Sequence, residues 1–97
     1  MQINYSEQAI DDLSKIGEHI AEDSENRAIQ FLKKLKTKIE MLLHFPYMGI
    51  ECQSKNIHKN CRVMIFESYL IFYTITHDSI SINRILHHSV NYQEKPL

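Results

Sequence analysis

The sequence predicts an α+β domain in which an N-terminal strand is followed by a helical hairpin packed on a twisted antiparallel β-sheet. Its first half repeats apolar residues at three- and four-residue steps, and its second half is dense in β-branched and aromatic residues. Between the two regimes stands Phe45-Pro46, a helix stop, because proline lacks a backbone donor and disfavours helical geometry in the residue before it. Ninety-seven residues suit one compact domain over residues 1–97, so target binding, any catalysis and neutralisation would share one surface.

Each element has its own signal. Ile3 and Tyr5 alternate with polar neighbours as in a short strand, and Ser6 stands where an N-cap opens a helix. Ala9, Ile10, Leu13, Ile16 and Ile20 form one apolar stripe, with Asp11, Asp12, Lys15 and Glu18 on the side expected to face water, and the helix ends near Ala21. After the polar break Asp23-Ser24-Glu25-Asn26, a second helix carries Ala28, Ile29, Leu32, Leu35, Ile39, Leu42 and Leu43 to about His44. The short connection makes the two helices an antiparallel hairpin whose shared stripe needs a cover. Three strands supply it: Cys61–Phe66, Tyr69–Thr76 and Ser79–Leu86, joined by the polar turns Glu67-Ser68 and His77-Asp78 into a meander. The lysine-bearing stretch from Gly49 to Asn60 reads as a loop with room for a short edge strand.

Composition excludes several classes. An apolar fraction of 43%, 24% charged residues and only two Gly and two Pro describe a folded soluble protein. No apolar run approaches the roughly 20 residues that span a bilayer, and Met1-Gln2-Ile3-Asn4-Tyr5 has no signal-peptide pattern, so a cytoplasmic location without membrane contact is expected. Cys52 and Cys61 are close enough in sequence to pair, but a cytoplasmic address favours free thiols. With His58 they are too few for a zinc site, and neither metal nor cofactor is expected. The net charge of −1 conceals segregation: up to Asn26, Glu7, Asp11, Asp12, Glu18, Glu22, Asp23 and Glu25 face Lys15 alone, whereas Lys33, Lys34, Lys36, Lys38, Lys55 and Lys59 crowd the middle. A protein bound to phosphate backbones usually carries a clear positive excess, so the charge points to a protein partner.

The opening Tyr5-Ser6, with Ala9, Asp12 and Leu13 behind it, resembles the start of RelE/ParE toxins, the toxic halves of bacterial type II toxin–antitoxin pairs. Leu42, Phe45-Pro46 and Gly49, then Arg62, Tyr69-Leu70-Ile71-Phe72-Tyr73, Ile80, Ile82 and Ile85-Leu86-His87, extend the resemblance in order over nearly the whole chain. It implies that family's fold and a cognate antitoxin as partner. RelE-type members cut messenger RNA on the ribosome and are typically strongly basic; ParE-type members block DNA gyrase and cause growth arrest. Leu70 stands where RelE-like strands carry an arginine, and the charge is near neutral, so the resemblance is closer to the ParE branch. The basic residue that the family carries shortly after the histidine is replaced here by the run Ser89-Val90-Asn91-Tyr92.

The two activities single out different residues. In a metal-independent ribonuclease, His87 or His88 would serve as general acid or base and Arg62 and Arg84 would neutralise phosphate, with Tyr92 nearby. In a gyrase inhibitor none of them is catalytic. The plainer readings are that one histidine packs at the sheet edge while its neighbour is solvated, and that Arg62 pairs with an acidic residue of the first helix. A third possibility is a toxin fold that has lost toxicity and only binds antitoxin. Lys33, Lys34, Lys36 and Lys38 read as a solvated helix face.

Overall fold

The structure, a computed structural model, describes residues 1–52 and 60–89. Strand β1 (Gln2–Tyr5) leads into α1 (Glu7–Ala21) and α2 (Glu25–Glu40), followed by β2 (Ile50–Glu51), β3 (Cys61–Phe66), β4 (Tyr69–Ile75) and β5 (Ser79–His87). The sheet is five-stranded in the order β1-β5-β4-β3-β2, antiparallel except where β1 runs parallel to β5. Both helices lie over one face. Both are capped as the sequence predicts, since Ser6 Oγ accepts from Ala9 N–H at 3.0 Å and Ser24 Oγ from Arg27 N–H at 3.2 Å. The second helix stops earlier than expected: its last turn tightens into a 3-10 turn at Met41–Leu43 before Phe45-Pro46.

Leu35, Ile39 and Leu42 from the hairpin meet Met64, Ile71, Tyr73, Ile80, Ile82 and Ile85 from the sheet, and all are buried. The helical phase differs in detail from the expected stripes. Ile10 and Ile29 are 57% and 54% exposed, whereas Asp12, expected to face water, is 8% exposed. Ala9, Asp12 and Ile16 are the residues α1 buries, at three- and four-residue steps, so the carboxylate sits on the sheet-facing stripe.

A bulge places the end of β5. Phe72 pairs with Arg84 but Tyr73 with Ile82, which leaves Asn83 without an opposite residue. Ile80 and Ile82 before the bulge and Ile85 after it therefore all join the helix-side core, while Leu86 joins Phe72 and Cys61 in a smaller cluster. Past Ile82, β1 no longer covers this edge, and α1 takes over. Ser6 N–H donates to Ile82 O at 3.0 Å, Ser6 Oγ–H to Asn83 O at 2.8 Å, and Ile85 N–H to Asp12 Oδ2 at 2.9 Å. Edge groups that a strand would have paired are thus satisfied by a helix start.

Candidate functional site

Of the sequence-predicted site residues, Arg84 has the most closed environment. Its Nε and Nη2 donate to the two carboxylate oxygens of Asp12 at 2.8 and 3.0 Å, and the side chains are 14% and 9% exposed. Hydrogen bonding to Asp12 raises the guanidinium pKa above its ordinary value. A planar fork held bidentate by a carboxylate has its charge and geometry already used. Arg84 thus ties α1 to β5, with Asp12 taking two of the donors that a phosphate would engage.

Arg62 is occupied differently. Its Nε and Nη2 donate to Gly49 O at 3.1 and 2.7 Å, its guanidinium lies 5.2 Å from the Tyr47 ring centroid, and Nη1 is 3.8 Å from Glu51 Oε1. It therefore braces the segment after Pro46, and the expected pairing with an acid on the first helix gives way to this bracket. Tyr73 braces the same segment from beneath: its hydroxyl donates to Pro46 O at 2.8 Å and accepts from Gly49 N–H at 2.9 Å. A Cβ on Gly49 would come within 2.7 Å of both the Tyr73 hydroxyl and Val63 O, so only glycine fits.

His87 ends β5 beside Tyr69, edge to face at 5.4 Å, and is stacked by His88 at 4.5 Å. Ser89 N–H donates to His87 Nδ1 at 3.1 Å, and Ser89 Oγ lies 2.7 Å from the same nitrogen. His88 is exposed, with its N–H on Ser68 O at 2.8 Å. Tyr92 lies outside the described residues, as does His58.

The register keeps Arg62 and His87 apart. They oppose Tyr73 and Tyr69 respectively, four positions along β4, and flank that strand on opposite sides. Strand rise and spacing then put their backbones on the order of 16 Å from each other. What His87 does join is a cleft of about 370 Å³ between the hairpin and the β3–β4 turn, lined also by His19, Arg27, Phe31, Lys34 and Tyr69. Phe31 contacts Tyr69 with ring centroids 5.6 Å apart, and burial raises the Tyr69 pKa above its usual value. The cations here were missed in the sequence, although Arg27, Phe31 and Lys34 recur at the helical spacing that puts them on one face.

A second concavity, about 330 Å³, is apolar and lies between the helices, lined by Tyr5, Ile10, Leu13, Leu32, Leu35 and Ile39. Among the described residues no cluster of His, Cys, Asp and Glu could hold a metal ion, and no helix is long and apolar enough to cross a membrane. Cys52 and Cys61, expected as free thiols, form a disulfide. The pairing of β2 with β3 brings their backbones together, with Cys52 N–H donating to Cys61 O at 3.0 Å.

Comparison with known proteins agrees with this architecture. Residues 3–92 match the sequence profile of the family described as the ParE toxin of the type II toxin–antitoxin system, parDE. Among solved structures, the chain is similar to one from the chromosomal ParDE system of P. aeruginosa, with a TM-score of 0.74 at 18% identity over 90% of this chain and 95% of that one. The E. coli DinJ–YafQ complex gives 0.64 at 21% identity, covering 93% and 96%. The RelB–RelE antitoxin–toxin complex of Methanococcus jannaschii gives 0.59 at 21%, covering 96% and 99%. At such identities the structural likeness is one of fold. No curated protein matches the chain.

Proposed function

The chain belongs to the ParE toxin family of type II toxin–antitoxin systems, and from that premise we propose that it arrests growth by binding DNA gyrase and is neutralised by a cognate antitoxin. The observation that carries the gyrase reading is the dispersal of the nuclease set: Arg84 is closed off by Asp12, and Arg62 is held against Gly49 at a distance from His87. Neither of these two arginines stands beside His87, so the charge neutralisation that phosphoryl transfer demands would fall to Arg27 and Lys34 of the cleft, and the His87 Nδ1 is already engaged by Ser89. Inhibition by docking requires none of this.

The antitoxin reading is supported by the apolar groove between the helices, where Ile10 is more than half exposed and Leu13 and Leu32 are partly covered. An amphipathic helix laid along it would bury this surface. The cognate antitoxin is thus the partner proposed for the hairpin, and gyrase the partner for the remaining surface.

A ribosome-dependent ribonuclease is the second reading, favoured by one feature: the cleft that gathers His87 with Arg27, Lys34 and Tyr69. Supercoiling and primer-extension assays on wild type and His87→Ala separate the two. A gyrase inhibitor leaves transcripts intact and blocks supercoiling in both proteins. Transcript cleavage by wild type, reduced on the order of 10²–10⁴-fold in a folded His87→Ala protein while supercoiling stays normal, would replace the gyrase reading with the ribonuclease.

A further inference from the structure

Strand β2 is only two residues long, Ile50 and Glu51, and both are exposed. So short an edge strand has little pairing of its own to hold it on β3, so its placement depends on what flanks it. On one side is the Arg62 bracket to Gly49 O; on the other is the disulfide between Cys52 and Cys61, whose Cα atoms are 5.4 Å apart. The two cysteines differ in setting. Cys61 is 3% exposed and packs with Phe72 and Leu86 on the sheet face away from the helices, whereas Cys52 is only partly buried at the margin of that cluster. Once reduced, the Cys61 thiol still has an acceptor, Arg62 O, 3.8 Å from its sulfur.

We propose that Cys52 and Cys61 form a thiol–disulfide exchange site for low-molecular-weight disulfides, with Cys52 the entry point and Cys61 the resolving thiol, and that its redox state locks or releases the β2 edge. In the oxidising direction the Cys52 thiolate attacks one sulfur of an external disulfide, forming a mixed disulfide and expelling one small thiolate. Cys61 then attacks Cys52 Sγ, closing the protein disulfide and releasing the second small thiol. Two protein thiols are oxidised and one external disulfide is reduced to two thiols, so two electrons and two protons are accounted for. Attack begins at Cys52 because it is the less buried of the two residues. Closure shortens the conformational freedom of the unfolded chain across a sequence separation of nine, so the locked form is the more stable one.

The test uses the full chain in glutathione redox buffers, with acid quenching, alkylation under denaturing conditions and intact mass as the readout of thiols and thermal unfolding as the readout of the lock. Wild type is expected to take two alkyl groups in reduced glutathione and none in oxidised glutathione, with Tm lower in the reduced form by on the order of 10 °C. Cys61→Ala should accumulate a single glutathione on Cys52, and Cys52→Ser should acquire none, because the buried thiol is not an entry point. Two alkylatable thiols in wild type under oxidised glutathione would overturn the proposal. So would equal Tm in both buffers, or a glutathione adduct on Cys61 in Cys52→Ser. Because Cys52 is at the margin of its cluster, Cys52→Ser is expected to fold, and it keeps the test decisive if Cys61→Ala does not.

Discussion

The two faces of the sheet are stabilised by different means. On the helix side, Leu35, Ile39 and Leu42 interlock with Met64, Ile71, Tyr73, Ile80, Ile82 and Ile85. Even the polar groups there are internally matched: Asp12 accepts from Arg84 and from Ile85 N–H. On the other side, the buried cluster of described residues is Cys61, Phe72 and Leu86, bordered by Cys52, Val63 and Leu70, with a disulfide through it. A thick core tolerates a buried charge because its geometry can be fully specified; a thin one gains more from a covalent tie. The same division separates the groups the structure uses from those it leaves to partners. The residues that hold the fold lie inside the first face, and the groove and cleft lie along its rim.

Leu35→Asp should have the largest effect. Leu35 is 0% exposed at the centre of the helix-side core, and an unpaired carboxylate there has no partner to offset its desolvation. Circular dichroism should show loss of the folded state. Asp12→Ala comes next: it leaves the Arg84 guanidinium without its partner carboxylate and Ile85 N–H without its acceptor, at a cost of about 3–5 kcal/mol. Denaturant unfolding measures it. Asp12→Asn, which keeps an acceptor but loses the charge, should lie between wild type and Asp12→Ala. Equal stability of all three would mean that the ion pair is incidental.

Asp12 also marks the limit of what the sequence could tell. Helical periodicity located both helices, their caps and the core positions Leu35, Ile39 and Leu42, because each of those signals is local. It put Asp12 on the water side since a lone carboxylate in one helix gives no hint of a guanidinium 72 positions away. The same distance hid what Arg84 does, and with it the nuclease set drawn from His87, His88, Arg62 and Arg84. Resemblance had picked out Ser6, Asp12, Gly49 and Tyr73 without a reason. The structure supplies one: Ser6 and Asp12 finish the β5 edge, and Tyr73 with Gly49 pins the turn after Pro46. The cysteine pair was hidden by its own logic, since the cytoplasmic location expected from the sequence argues for thiols while the β2–β3 register brings the two residues side by side.

The finest test of the contrast makes one truncation on each face. Leu35→Ala and Leu86→Ala remove the same atoms from side chains that are 0% and 6% exposed, so the transfer contribution is nearly equal in the two variants. What differs is the cavity. Around Leu35 the neighbours belong to two helices and a sheet that are locked against one another, so the space can close only partly, and a loss toward the upper part of the about 2–5 kcal/mol range for such changes is expected. Around Leu86 the buried neighbours are Phe72 and Cys61, with the half-covered Val63 and Leu70 at the border free to shift inward, so the loss should fall near about 2 kcal/mol. Reducing the disulfide should then matter to only one of the pair. The penalty of Leu86→Ala should change in reductant because Cys61 borders the gap, whereas that of Leu35→Ala should be the same in both buffers, as expected for sites with no shared partner. Chemical denaturation of both variants with and without reductant gives the four values needed. Equal losses on the two faces, each indifferent to reductant, would show that the far cluster is packed as firmly as the core and that the disulfide adds nothing to it.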